Sequence, residues 1–201
     1  MVFKSLAFGA MAAALILALG STTAVAQVTG FDDVYAVSHF SNAHVTGAPD
    51  GVLRVVNDGT LSDASPAGDL CASIYVFDST EELNECCSCR VTPNGILSLS
   101  VNTNLTSNTL TGRLPKRGVI KVVSSKLSGG SCDARVVAPQ TGIRGWVTHV
   151  QRGTSTYALT EEELLDSTYG SSESADLAED CTVLVELGTG QGVCSCTDSL
   201  Q

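Results

Sequence analysis

The stretch NECCSCRVTP, which begins at Asn84, holds three cysteines within four positions of a chain that has eight in all. This clustering constrains the fold strongly, because cysteines are metal ligands or reactive thiols in a reducing compartment but disulfide partners in an oxidising one. The N-terminus decides between these environments. Lys4 supplies a positive charge, residues 6–19 form an apolar run, and the small residues of STTAVA precede a predicted cleavage after Ala26.

The sequence therefore predicts a signal peptide over residues 1–26 and a single secreted β domain over residues 27–201. The apolar run is shorter than the roughly 20 residues that a membrane-spanning helix needs, and no later stretch is long enough, so we expect no membrane span. We expect the mature protein to be secreted, or to lie in a periplasm or at a cell surface, after cleavage near Ala26.

The even number of cysteines in the mature domain predicts four disulfides and no free thiol. A bond between the neighbours Cys86 and Cys87 would be strained, since adjacent Cα atoms lie only about 3.8 Å apart. In an extended chain Cys87 and Cys89 share one face while Cys86 points to the other, and the CSC that begins at Cys194 repeats this spacing. The two doublets suit a paired set of cross-links, although other connectivities stay open. The eight residues are Cys71, Cys86, Cys87, Cys89, Cys132, Cys181, Cys194 and Cys196.

A zinc site is the alternative use of these sulfurs. Such a site needs four converging thiolates, and a CC followed by a CxC lacks the CxxC knuckle that usually supplies two of them. Together with the predicted export, this spacing favours disulfides, and we expect no metal and no cofactor.

A second feature is an internal repeat: GVLRVV at Gly51 returns as GVIKVV at Gly118, with glycine and one basic residue at the same positions. Weaker matches flank it in the same order, and together they predict two related halves, residues 31–93 and 94–201. Chance similarity between Val-rich strands is the alternative. The flanking matches are VYAVSHFSN from Val34 with ILSLSVNTN from Ile96, CASIYVFD from Cys71 with GWVTHVQ from Gly145, and STEEL from Ser79 with LTEEEL from Leu159.

Short β-branched runs separated by turn signals such as PNG and SGG predict strands, and ILSLSVN alternates with period two. NDGTLSD at Asn57 offers oxygen ligands but lacks the calcium-loop register, so it is interpreted as a hairpin turn. Helix is predicted for STEEL and LTEEEL, from their capping-box pattern, and for residues 174–187, where apolar residues repeat at helical spacing before Gly188. The expected fold is mainly β: an antiparallel β-sandwich with a short C-terminal helix and disulfide staples.

Charge falls in blocks along the chain. Residues 27–89 carry one Arg and ten acidic residues, residues 90–152 carry nine basic residues and one Asp, and residues 153–201 carry ten acidic residues and no Lys or Arg. If the blocks stay apart in space, a basic face of one molecule could meet an acidic face of the next, so the protein itself is one expected partner. The acidic balance argues against nucleic acid.

The mature N-terminus, residues 27–41, could also donate a strand to a neighbouring molecule, although pairing within its own chain is the favoured alternative. Signatures of catalysis are absent: the sequence has no GxSxG, HExxH, P-loop or dinucleotide fingerprint. His39, His44 and His149 are interpreted as outward-facing residues in or beside strands. No catalytic, cofactor-binding or metal-ligating residue is predicted, and we expect no enzyme.

Two functions remain. The first is a secreted structural or adhesive protein of the cell exterior, which could self-assemble; it rests on cysteine density, strand content and blocked charge. The second is a soluble extracellular module that binds an unknown glycan or protein ligand, and it rests on the long polar loops 102–112 and 125–141.

Overall fold

A computed structural model describes residues 34–61 and 68–197, so the predicted signal peptide, residues 1–26, lies outside the described residues. These residues form nine strands, one α-helix and a π-helical turn. The strands are β1 Tyr35–Ser41, β2 Val52–Asn57, β3 Leu70–Asp78, β4 Leu83–Val91, β5 Ile96–Ser100, β6 Arg117–Ser125, β7 Ile143–Arg152, β8 Tyr157–Glu163 and β9 Leu165–Asp166. The π-helical turn spans Val101–Leu105, and the helix α1 spans Ser171–Glu186.

Two antiparallel sheets pack face to face. Sheet A has the order β4-β3-β6-β1-β9, and sheet B has the order β5-β2-β7-β8. Alternation along the central strands sends every second side chain into the space between the sheets. In this way Leu53 and Val55 of β2 meet Ile120 and Val122 of β6 in one continuous core. The antiparallel β-sandwich predicted from the strand pattern is confirmed.

The helix α1 covers the outer face of sheet A and makes a second core there. Leu177, Cys181 and Leu184 are buried on one side of the helix, where they join Tyr75 and Val123 of the sheet. Burial of a large aliphatic side chain stabilises the fold by about 1.5–3 kcal/mol, so this stripe fixes the helix to the sheet. The apolar stripe that the sequence showed over residues 174–187 is thereby confirmed.

The helix ends where the sequence predicts, since Gly188 follows it with a φ of 65°, but it begins at Ser171. The other two helix predictions are wrong. STEEL forms the β3–β4 turn, in which Asp78 accepts the backbone N–H of Glu82, and residues 160–163 lie in strand β8. Both segments are too short to offset the cost of helix nucleation, whereas a pairing over seven residues with β7 is available to β8.

The hairpin interpretation of NDGTLSD is also wrong, because the strand that ends at Asn57 lies in sheet B and the strand that begins at Leu70 lies in sheet A. The connection therefore crosses from one sheet to the other. Part of it, residues 62–67, lies outside the described residues.

The two hexapeptide strands occupy corresponding places. Apart from the short edge strand β9, sheet A has the order β1-β6-β3-β4, which corresponds to β5-β2-β7-β8 of sheet B, so the two hexapeptide strands β6 and β2 lie in corresponding positions. Their basic residues, Arg54 and Lys121, both form ion pairs, with Glu161 and Glu173 respectively. This strand order is what a duplication with exchange of one strand between the halves would produce, and the duplication itself stays a prediction.

The register differs from the flanking sequence matches. Val122 lies between Ala36 of β1 and Ile74 of β3, and its counterpart Val55 lies between Leu97 of β5 and Gly145 of β7. The flanking sequence matches align Ala36 with Ser98 and Cys71 with Gly145. These alignments differ from the structural register by one and by three residues, respectively. An odd displacement would turn a strand's core face outward, and for this reason packing overrides the similarity of letters.

The first strand pairs within its own chain. Tyr35–Ser41 is hydrogen-bonded to β6 along its whole length, and Ala36 and Val37 also pair with β9. The intrachain alternative is therefore confirmed for these residues, while residues 27–33 lie outside the described part. Across residues 34–61 and 68–197, none of the helices has the length and apolar character that crossing a bilayer requires.

We predict that Gly118→Ala lowers the free energy of unfolding by about 1–3 kcal/mol or more. A Cβ at Gly118 would lie 1.9 Å from the Phe77 carbonyl oxygen and 2.8 Å from the Phe40 ring, so backbone must move. Gly170→Ala is the matched control, because its Cβ would have no atom closer than 3.9 Å. Urea denaturation measures both. Equal effects of the two substitutions would contradict the packing described for β6.

Candidate functional site

All eight cysteines form disulfides, and none is free. The four predicted bonds are thereby confirmed. They join Cys71 to Cys132, Cys86 to Cys181, Cys87 to Cys194, and Cys89 to Cys196.

Strand β4 carries three of the four bonds. Cys87 and Cys89 point into the core between the sheets and are bonded to Cys194 and Cys196, so the two doublets form the paired cross-links that their spacing suggested. Cys86 points to the opposite face of sheet A and is bonded to helix α1. Alternation along one strand therefore attaches both the helix and the C-terminal segment to the same sheet edge.

Residues 190–197, which we call the strap, run along the open edge of β4. The Cys86 N–H donates to the Gly192 carbonyl at 2.9 Å, and the Cys194 N–H donates to the Cys86 carbonyl at 3.2 Å. A further bond, 2.6 Å long, joins the Gly192 N–H to the Asn108 carbonyl. The strap thus satisfies the backbone N–H and carbonyl of Cys86, which an edge strand would otherwise leave open for another chain.

The sulfurs of Cys87, Cys89 and Cys196 lie within 4.8 Å of one another, a spacing that thiolate ligands of a metal ion would also show. Each of the three belongs to a disulfide, and a disulfide sulfur is not a thiolate. The proximity follows from two neighbouring cross-links at successive core-facing positions of one strand.

A buried carboxyl lies beside these cross-links. Glu85 is fully buried on the same face of β4 as Cys87; its Oε1 accepts the Asn108 N–H at 2.6 Å, and its Oε2 has no partner. Burial raises the pKa of Glu85 to about 7, although the hydrogen bond from Asn108 opposes the shift. Sequence reasoning missed this residue, and the one signal was an acidic residue at a core-facing position two residues before Cys87.

The histidines do not all face outward. His149 is buried, with its ring 4.2 Å from that of His39 and its Nε2 3.6 Å from Glu162, while its Nδ1 has no partner. Burial and the neighbouring His39 lower the pKa of His149, and Glu162 opposes them. The outward interpretation of His149 is wrong because the end of β1 packs across β7 here. His44 lies after β1 and is bonded to Thr106 at 2.8 Å.

Part of the loop 102–112, which the sequence suggested as a binding loop, is buried within the fold. Asn104, Leu105 and Thr109 are buried, and the Asn104 side chain bonds both the Ser100 N–H and the Thr197 carbonyl. These contacts attach the loop to sheet B and to the strap, while Thr103, Ser107 and Thr111 are exposed.

A cleft of about 330 Å³ opens between the sheets beside β1 and β9. These strands lie at the edge of sheet A opposite to β4. Three small residues that face the inter-sheet space, Ala36, Ser124 and Gly145, leave it unfilled. Ser124 is only 1% exposed, and its buried side-chain hydroxyl has no hydrogen-bond partner. Arg144 and Glu163 lie at the mouth, 3.7 Å apart. The lining residues are Val34, Tyr35, Ala36, Val122, Ser124, Ile143, Arg144, Gly145, Glu163, Leu164, Leu165 and Asp166.

No protein-family model and no curated protein matches this chain. Among solved structures, the crystal structure of Thermotoga maritima 1070 aligns with a TM-score of 0.42 and 11% sequence identity, over 71% of this chain and 99% of that chain. An alignment this weak carries no argument about function. The molecule is therefore defined by its own features: a disulfide-linked antiparallel β-sandwich whose edge strand β4 is covalently attached to the strap, with a cleft between the sheets beside β1 and β9.

We predict that Glu85→Gln removes a pH dependence of stability. The pKa of Glu85 is about 7 in the folded protein against an ordinary value of 4.5, so the wild-type protein loses stability as pH rises from 4.5 through 7. The full shift corresponds to about 3 kcal/mol. At pH 8 the variant should be more stable by up to about this amount, and at pH 4 the two proteins should be equal. Urea denaturation at both pH values measures this; a variant less stable at pH 8 would contradict it.

The paired cross-links should be non-additive. With either core-facing bond intact, its neighbour closes a ring of only a few residues, so Cys87→Ala/Cys194→Ala or Cys89→Ala/Cys196→Ala should each cost about 2 kcal/mol. Once one cross-link is gone, the other closes a ring of about 15 residues with the Cys86–Cys181 bond, so its removal costs more. Removing both should therefore cost about 5 kcal/mol, which exceeds the sum of the two single losses. Chemical denaturation of the oxidised variants tests this, and a combined loss equal to or smaller than the sum of the two single losses would contradict it.

Proposed function

We propose that this protein is a secreted, non-enzymatic structural or adhesive protein of the cell exterior. The observation that carries the proposal is the attachment of the C-terminal segment to β4. Two disulfides connect residues that lie 107 positions apart, and a third connects residues 95 apart. Four disulfides in a chain long enough to bury its own core are typical of proteins in oxidising and harsh surroundings.

The paired bonds also determine how the domain bears load. A force applied at the strap passes through Cys194 and Cys196 directly into β4, so the intervening sheet and helix are not pulled open. Unzipping of the C-terminus would require breaking covalent bonds rather than hydrogen bonds. This is a property that a protein anchored in a surface layer or fibre needs and that a freely diffusing protein does not.

Part of the charge segregation survives folding and supports self-assembly. Four of the nine basic residues of the middle block form ion pairs, for example Lys121 with Glu173 and Arg144 with Glu163. Arg113 and Lys116 of the exposed loop before β6, and Arg117 at the start of β6, form no ion pair with any residue of the described ranges. The outer side of α1 exposes acidic residues, so a second copy offers a complementary face.

We predict that the mature protein, residues 27–201, forms large particles at low salt that dissociate as salt rises, because exposed charges are screened beyond about 10 Å at 0.1 M. Light scattering measures particle size. Arg113→Gln/Lys116→Gln should reduce assembly, whereas Arg152→Gln/Lys126→Gln, which removes the same charges from other exposed positions, should not. A wild-type protein that stays monomeric at high concentration and low salt would overturn assembly. Electron microscopy of material secreted by the native host tests whether the protein also assembles there.

The second candidate is a soluble extracellular binding module for a glycan or protein ligand. The cleft beside β1 and β9 is the observation that favours it, since about 330 Å³ falls within the usual range for small-ligand sites. A monomer that binds a ligand in this cleft would support this function in place of the structural one.

A further inference from the structure

We infer that the cleft beside β1 and β9 binds a small aliphatic amine. This inference rests on the binding-module candidate, and it replaces an unspecified ligand with a chemical class. Three properties of the described residues carry it: the shape of the cavity, an unpartnered hydroxyl at its base and an acidic balance at its mouth.

The cavity exists because small side chains converge from three strands. Protein interiors are normally packed without voids larger than a water molecule, and the rest of this core is filled mainly by Leu, Ile and Val, with Phe40 and the disulfides of β4. At this end Ala36, Ser124 and Gly145 face one another instead. Leu164 packs over Gly145. A Cβ added to Gly145 would lie 2.4 Å from the Leu164 Cδ1, so a larger residue in place of this glycine would not fit.

The walls are aliphatic. Val34, Val122, Ile143 and Leu164 surround the cavity, and no Trp or Phe is among its lining residues. Tyr35 is the aromatic residue of the lining, and its side chain lies on the opposite face of sheet A, where its hydroxyl donates to Glu173. Sugar rings usually stack on aromatic faces, so a saturated hydrocarbon body fits these walls better than a glycan does.

The hydroxyl of Ser124 is the polar group at the base. The Ser124 N–H donates to the Val34 carbonyl at 2.7 Å, and the Ser124 carbonyl accepts the Gln140 N–H at 3.0 Å, so both backbone groups are satisfied. The side-chain hydroxyl alone has no partner. A buried polar group without a partner costs free energy, and a ligand that supplies a hydrogen bond would recover it.

The mouth favours a cation. Glu163 and Asp166 bring two carboxylates against one guanidinium, that of Arg144, which lies 3.7 Å from Glu163. The backbone donors nearby are used: the Leu164 N–H bonds the Gly145 carbonyl, and the Ser167 N–H bonds the Tyr35 carbonyl. The site therefore offers mainly acceptors, which an ammonium group with three donors complements.

Three probes of nearly equal size test the inference: cyclohexylamine, cyclohexanol and cyclohexanecarboxylate. Saturation-transfer-difference NMR on the mature protein at pH 7 and moderate salt gives each dissociation constant. We expect the amine to bind at least about five-fold more tightly than the alcohol and the carboxylate to bind most weakly. Equal affinity for amine and alcohol would overturn the cation preference, and no binding of any probe would overturn the site.

Variants locate the binding. Ala36→Leu should fill the cavity and abolish binding of all three probes, while the control Ala158→Leu, at an exposed position of β8, should leave it unchanged. Asp166→Asn should bring the amine-to-alcohol ratio towards one. If Ala36→Leu does not fold, Ser124→Ala tests the location of binding instead, because it should weaken the binding of the amine and of the alcohol several-fold. Binding that is insensitive to Ser124→Ala and Asp166→Asn would overturn the inference, whatever light scattering shows about assembly.

Discussion

The covalent attachment of strand β4 is the constraint on which the rest of the structure depends. A β-strand sends alternate side chains to opposite faces, so three cysteines within four positions reach both sides of sheet A. One side holds helix α1 through Cys86, and the other holds the strap through Cys87 and Cys89. Because these bonds fix the strap along β4, that edge of sheet A is closed, and the loop 102–112 is held between the strap and sheet B.

The same attachment explains how the fold tolerates polar groups in its interior. Glu85 lies beneath the strap with one carboxylate oxygen unpartnered, and burial of an ionised carboxyl opposes folding at neutral pH. Each disulfide typically adds about 2–4 kcal/mol to stability, which is comparable with the cost of that one carboxyl. The Glu173 carboxylate shows the opposite case. Its partial burial alone would raise its pKa, but hydrogen bonds from Lys121 and Tyr35 lower it, so this residue stabilises the contact between helix and sheet.

The two ends of the sandwich differ in packing. At the disulfide end the inter-sheet space is closed by cross-links and large side chains. At the end beside β9 this short strand pairs with only Ala36 and Val37, and small residues leave a cleft. The near-equivalent strand orders of sheets A and B do not extend to this detail, since Ile74 and Gly145 stand at corresponding positions. The two sheets therefore pack closely at the disulfide end and leave a cleft at the other end.

The sequence by itself determined the local and covalent features of this protein. Period-two alternation predicted the strands, helical spacing predicted α1, and matched CxC spacing suggested the paired cross-links, since each of these depends on geometry within a few residues of chain. Tertiary structure decided what depends on partners distant in sequence: whether LTEEEL is a helix or a strand, whether His149 faces inward, and which register aligns the two hexapeptide strands with their neighbours. The cleft and the buried carboxyl belong to this second group, because a void or an unpartnered oxygen is defined by side chains from several strands at once, and no single segment of sequence contains it.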